Sequence, residues 1–112
     1  MANILEKYKF RDYYEELAEQ VIDTENTPEG PLDVLDLHNH KSWAALLALH
    51  TRLAFLRSRG ISKLDIITGK GNRSQGNMPV LRPLVLDYLH YCKFRHCFEK
   101  DNDGVVIVED FG

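Results

Sequence analysis

Between Leu64 and Gly76 the chain passes from a mostly apolar run, Leu64-Asp65-Ile66-Ile67, straight into a glycine-rich turn, Ile67-Thr68-Gly69-Lys70-Gly71-Asn72-Arg73-Ser74-Gln75-Gly76. An apolar run of this length that stops at glycines reads as a buried strand delivering a turn. Beyond the turn, Pro79 and Pro83 bracket the start of a helix. Leu81, Leu84, Val85, Tyr88, Leu89 and Cys92 then recur on a single helical stripe. Proline is tolerated only in a first helical turn, so the helix is predicted to start near Val80. That start brings its N-terminal amides and Arg82 close to the glycine turn. Strand, turn and helix in this order restrict the chain to layered α/β architectures.

The same pattern occurs upstream. Leu32 to His38 reads as a short strand, with Leu35 and Leu37 on one side and Asp36 and His38 on the other, because positions i and i+2 share a face. A helix is expected from about Lys41 to Arg59, with Trp43, Leu46, Leu47, Leu49, Leu53 and Leu56 as its apolar face and Gly60 as its stop. His50 falls within that face and reads as a satisfied, partly buried histidine. Phe94 to Phe98 and Val105 to Val108 are the last two strands, joined by a turn at Asp101-Asn102-Asp103-Gly104. The order is βαβαββ. The strand–helix–strand unit should be parallel and right-handed, and the final hairpin makes the sheet mixed.

Ahead of this lies a helical arm, with Phe10, Tyr14, Leu17 and Val21 on one face of a helix from about Leu5 to Ile22. The segment from Asp23 to Pro31 lacks periodicity and carries two prolines, so it reads as a linker. Residues 1–31 are therefore taken as arm and linker, and 32–112 as the domain. The arm packs on the domain or on a protein partner.

Charge narrows the function. The net charge is −3, yet from Ile66 to Leu86 there is no acidic residue while Lys70, Arg73 and Arg82 are cationic. One basic patch on an acidic body suits a nucleic-acid backbone. No run approaches the roughly eighteen apolar residues of a transmembrane helix, so no membrane role is expected. Cys92 and Cys97 are the only thiols, and the opening Met-Ala-Asn-Ile-Leu-Glu-Lys lacks a signal-peptide pattern. A reducing, cytoplasmic setting is the expectation. The thiols with His90 and His96 match no metal-ligand spacing, so neither metal nor cofactor is expected.

The glycine turn is neither of the common nucleotide loops: the P-loop lysine pattern is absent, and Ser74 stands where a dinucleotide loop has its third glycine. Its backbone N–H groups with Lys70 and Arg73 would suit phosphate oxygens, although a structural tight turn uses glycines too. Asp36 beside His38 fits general acid–base work, since the carboxylate orients an imidazole that exchanges protons near neutral pH.

Taken together, Leu35-Asp36-Leu37-His38, the alanine- and leucine-rich helix, Ile66 to Ser74 and Leu81-Arg82-Pro83-Leu84-Val85 with Tyr88-Leu89 resemble the Smr (small MutS-related) domain over about residues 32 to 109. The chain is most similar to eukaryotic Smr endonuclease domains linked to ribosome-associated mRNA cleavage. The resemblance implies a two-layer α/β sandwich, a four-stranded mixed sheet with two helices on one face. It also implies an endonuclease acting on RNA, single-stranded and in a ribosome and mRNA-decay context. Asp36, His38 and Arg73 would be catalytic; Thr68, Gly69, Lys70, Gly71, Asn72, Ser74 and Arg82 would bind nucleic acid. The alternatives are a non-catalytic RNA- or ribosome-binding module of the same fold, or a DNA-nicking endonuclease. Two positions depart from the family. Asn39 replaces a usual glycine, which Asn can do at positive φ. Arg73 replaces the histidine of Gly-x-His-Ser; it cannot act as a base, though it grips phosphate well.

Overall fold

Two crossovers running the same way across one sheet fix the architecture. The computed structural model describes residues 10–69 and 81–111. In chain order the elements are α1 (Phe10–Ala18), β1 (Val34–Asp36), α2 (Ser42–Ser58), β2 (Lys63–Ile67), α3 (Leu81–Tyr91), β3 (Arg95–Glu99) and β4 (Asn102–Glu109). The sheet order is β1-β2-β4-β3, with β1 parallel to β2 and β4 antiparallel to both its neighbours. From β1 to β2 and from β2 to β3 the chain moves in the same direction across the sheet. Right-handed crossovers then put α2 and α3 on the same face. The architecture is the expected α/β sandwich.

The core follows from strand alternation. Leu35, Leu37, Leu64, Ile66, Val106 and Val108 point to the helices and are buried. Leu46, Leu49, Leu53 and Leu56 of α2 and Leu84, Val85, Tyr88 and Leu89 of α3 close over them. His50 is satisfied by a hydrogen bond shared with the Tyr88 hydroxyl, and burial holds its pKa below the ordinary value.

Both inner helices end in the same motif. At the end of α2, Gly60 has φ +74°, its N–H donates to the Arg57 carbonyl at 3.2 Å, and the Ile61 N–H donates to Leu56 at 2.9 Å. That double bond pattern is a Schellman cap, which needs a left-handed residue where Gly60 stands. At the end of α3 the same pair of bonds runs from Lys93 to His90 and from Phe94 to Leu89, both 3.0 Å. There the left-handed position is filled by Lys93, at φ +61°.

Three boundaries differ from the sequence reading. In the arm, Leu5 to Lys9 lie outside the described residues, and the helix stops at Ala18, leaving Val21 98% exposed. The Asp23 carboxylate accepts the backbone N–H groups of Glu25 and Asn26 and the Asn26 amide, a local turn that competes with helix. Tyr14 and Leu17 are buried as expected; Tyr14 stacks on Tyr91 at 4.6 Å and its hydroxyl donates to the Asp87 carboxylate. Strand β1 is shorter than Leu32 to His38. Arg52 donates to the carbonyls of Leu32 and Val34, both at 3.1 Å, and so satisfies edge groups that no further strand pairs among the described residues. Finally, the last hairpin reverses at Lys100 and Asp101 (φ +63°), and β4 begins already at Asn102. Glu99 pairs with Asn102 but Phe98 pairs with Val106, so Asp103, Gly104 and Val105 bulge out of the β3 ladder. On their other edge, Val105 pairs with Ile67 of β2 and the Gly104 carbonyl accepts the Thr68 N–H.

Candidate functional site

β1 and β2 are parallel, so their carboxyl ends lie side by side, the usual ligand end of an open α/β sheet. β1 delivers Asp36 and, beyond the strand, His38. Both sit on the face away from the helices, and each side chain is 49% exposed. The His38 ring is hydrogen-bonded through Nδ1 to Asp36 Oδ1, and the His38 backbone N–H donates to the same oxygen at 3.1 Å. With Nδ1–H turned to the carboxylate, the neutral ring keeps its lone pair on Nε2, facing away from Asp36. The hydrogen bond from the His38 ring holds the Asp36 carboxyl below its ordinary pKa; the His38 amide and the charges of His38 and His40 add to the effect.

The turn after His38 does not use the conformation expected of Asn39. The His40 N–H donates to the Leu37 carbonyl at 2.9 Å, closing the turn. Among the described residues the non-glycine positions with positive φ are Lys93, Asp101 and Asp110, so Asn39 is not one of them. A turn closed this way needs no left-handed residue, which is why asparagine replaces glycine here without strain.

At the end of β2 the chain turns at Gly69, with φ +77°, where a Cβ would stand 3.5 Å from the His38 Cβ. The two sequence motifs therefore meet in direct contact. Thr68 is 6% exposed, and its hydroxyl lies within reach of the Gly69 and Gly104 carbonyls at 3.1 and 3.2 Å. The backbone N–H groups of Thr68 and Gly69 both donate to the Gly104 carbonyl, at 2.9 and 3.2 Å. The Gly69 amide, expected to face phosphate, is thus spent on the β4 bulge, and Thr68 braces the turn from inside.

Arg82, in the first described turn of α3, reaches the same end of the sheet. Its Nη1 lies 3.8 Å from Asp103 Oδ2 and its side chain is 24% exposed. Lys70, Gly71, Asn72, Arg73 and Ser74 lie outside the described residues. Sequence reading missed Asp103 and Gly104 at the site. Asp-Asn-Asp-Gly looks like an ordinary hairpin turn, and only the pairing of β4 with β2 carries it to Thr68. Among the described residues no group of three or more His, Cys, Asp or Glu side chains is arranged to hold a metal ion. No described helix is long and apolar enough to cross a membrane.

Chemically, the arrangement offers a half-exposed imidazole oriented by a carboxylate, beside a backbone turn with no side chain at its first glycine. Comparison with known proteins identifies the family. The family model described as the Smr domain matches residues 35–109. The chain is 31% identical over 98 residues to Endonuclease NBR9 of Saccharomyces cerevisiae, covering 88% of this chain and 40% of that protein. It is 32% identical over 96 residues to human NEDD4-binding protein 2, covering 81% of this chain and 5% of that protein. The chain thus spans less than half the length of these relatives. Among solved structures, the SMR domain of NEDD4-binding protein 2 superposes with a TM-score of 0.58 at 30% identity, covering 78% of this chain and 95% of that one. The B3BP Smr domain gives 0.54 at 28% identity, covering 89% and 87%.

Proposed function

Because this chain belongs to the Smr domain family, we propose that it is an endonuclease domain that cleaves single-stranded RNA, with Asp36 and His38 as its proton-transfer pair. The observation that carries the reading is the hydrogen bond between the His38 ring and Asp36, half-exposed and against Gly69. A relative that bears endonuclease in its name supports the nuclease class.

RNA brings its own nucleophile. His38 Nε2 takes the proton of a 2′-hydroxyl as that oxygen attacks the adjacent phosphorus. The bond to the 5′-oxygen breaks, and that oxygen takes a proton from solvent water, leaving a 2′,3′-cyclic phosphate. Asp36 fixes the ring and stabilises the imidazolium. Arg82, with Lys70 and Arg73 of the loop, neutralises the charge that builds on the non-bridging oxygens. No metal is required by this chemistry. Ribosome-bound mRNA in the cytoplasm is the substrate this reading favours.

The test is cleavage of a labelled RNA in EDTA, with a second substrate carrying a single 2′-deoxy nucleotide. Wild type should leave cyclic phosphate ends and spare the deoxy position, and His38→Ala should lose about 10²–10⁴ in rate. Equal cleavage by His38→Ala removes the histidine from the mechanism, and full loss in EDTA puts a metal ion into it. Efficient nicking of all-DNA substrates would replace the internal nucleophile by water. One feature favours a second reading, a binding module without turnover: residue 73 is Arg, where the resemblance to the family implies an imidazole. Tight RNA binding that persists in Asp36→Ala and His38→Ala, with no product from wild type, would select it.

A further inference from the structure

At the site end of the sheet, Asp103 is accounted for neither by the sequence motifs nor by the proposed chemistry. It stands in the bulge of β4, beside Gly104, whose carbonyl takes up the Thr68 and Gly69 amides. The bulge does not need its side chain, because Asn102 Oδ1 accepts the Gly104 N–H at 3.0 Å. Among the described residues its partner is Arg82, with Oδ2 3.8 Å from Nη1.

The strand order decides what this pair faces. His38 follows β1, Gly69 follows β2 and Asp103 belongs to β4, so the histidine and the carboxylate stand on opposite sides of the glycine. Two strand spacings, about 10 Å, separate β1 from β4. Gly69 puts no side chain between them, and a Cβ there would already stand 3.5 Å from the His38 Cβ. The gap over Gly69 thus has an imidazole on one side and Arg82, held by Asp103, on the other. It is wide enough for a phosphate group.

Arg82 Nε is shielded from water, so a phosphate must meet the guanidinium at its outer nitrogens. Nη1 is the one that Asp103 holds. A guanidinium carries five N–H donors in one plane and can hold a carboxylate and a phosphate at once. The pair is partly exposed, Arg82 at 24% and Asp103 at 61%, so it adds little to stability. It can still choose among the rotamers of a long side chain, a bias of up to about fivefold for such a pair.

We propose that Asp103 is a positioning residue: it turns the Arg82 guanidinium toward the gap over Gly69, where the scissile phosphate of the RNA sits opposite His38. The inference rests on the proposed RNA cleavage and adds to it the residue that aims the cation. A carboxylate beside an anionic substrate has two opposed effects. Its charge repels the RNA in the ground state. Its hold on Arg82 serves the charge that builds on the phosphate oxygens as the 2′-oxygen attacks. Binding and turnover should therefore respond to its removal in opposite directions.

The test is cleavage of a labelled single-stranded RNA by the full chain, with kcat and KM measured separately and thermal melts as the fold control. Asp103→Asn should lower kcat about fivefold while KM stays level or falls. Asp103→Glu, which keeps the charge, should recover to within about twofold of wild type. In an Arg82→Ala background, itself down about a hundredfold, Asp103→Asn should cost nothing further. Cleavage by Asp103→Asn at or above the wild-type kcat, or with a raised KM, overturns the proposal. So does the same fivefold loss in the absence of Arg82, which would give Asp103 a role of its own. In each of these cases wild-type cleavage and its dependence on His38 stand. If wild type cleaves no single-stranded RNA, or His38→Ala cleaves as well as wild type, the parent reading fails and the assignment of Asp103 fails with it.

Discussion

Gly69 is the hinge between the two motifs, and replacing it by alanine has an effect that the structure allows to be worked out. Its φ of +77° is left-handed, where an L-residue with a Cβ is strained by about 1–2 kcal/mol. Against this, alanine stiffens the unfolded chain, which returns about 0.4–1 kcal/mol. The added methyl would sit 3.5 Å from the His38 Cβ, an ordinary contact, so no clash is added. The net expectation for Gly69→Ala is a loss of about 1 kcal/mol, or a fall in melting temperature of about 4 °C for a domain of this size. Asparagine, which visits left-handed backbone more readily, should lose less. Urea unfolding of wild type, Gly69→Ala and Gly69→Asn measures all three, with m-values compared to confirm the same unfolding. A loss above about 3 kcal/mol would mean that the Cβ meets more than the His38 side chain. No loss at all, or equal losses for Ala and Asn, would refute the left-handed assignment. Since the methyl leaves the His38–Asp36 bond in place, RNA cleavage by the folded Gly69→Ala chain should stay within about tenfold of wild type.

Other expectations follow from the same geometry. Lys93 occupies a Schellman position at φ +61°, so Lys93→Gly should raise stability by about 1 kcal/mol in thermal or urea unfolding. Tyr14 is buried, stacks on Tyr91 and donates to Asp87; Tyr14→Ala should lose about 3–5 kcal/mol, whereas Tyr14→Phe, which only removes the donor, should lose about 1–3 kcal/mol. A neutral outcome for Tyr14→Ala in denaturant titration would show that α1 contributes nothing to the fold. Burial lowers the pKa of His50 below 6.5, so its unfolded form takes up a proton first. Its contribution is complete above pH 6.5 and is lost as the pH falls, by at most about 1.4 kcal/mol per pH unit, until the folded form protonates as well. His50→Gln should flatten the stability profile in that window. Asp36 works at lower pH: its carboxyl is lowered from 3.8, so what the His38 bond contributes is present above that value and lost below it. Solvent screens this half-exposed pair, so the Asp36→Asn difference should be small.

Period and punctuation made most of the fold legible in the chain itself. Leu35 and Leu37 alternate with Asp36 and His38, and that alone puts the acid and the imidazole on one face, because a strand has no other way to arrange them. Gly60 marks the end of α2 and Pro83 the beginning of α3 for reasons local to the backbone. The misread boundaries are those where a side chain competed with the backbone pattern. Val21 continues the apolar spacing of α1, yet the Asp23 turn captures the amides that follow. Asn39 looks like a stand-in for glycine until the turn closes without positive φ.

The amino-acid order thus determined which segments are strands and helices, which side chains face the core, and which polar residues stand at strand ends. What it could not determine is which residues meet from distant parts of the chain. Gly69 touches His38, the Gly104 carbonyl takes up the amides of Thr68 and Gly69, and Asp103 holds Arg82 only because β1, β2 and β4 pair in one particular register. Register is a property of the assembled sheet: sliding one strand by two residues leaves every local preference intact and takes every one of these contacts apart.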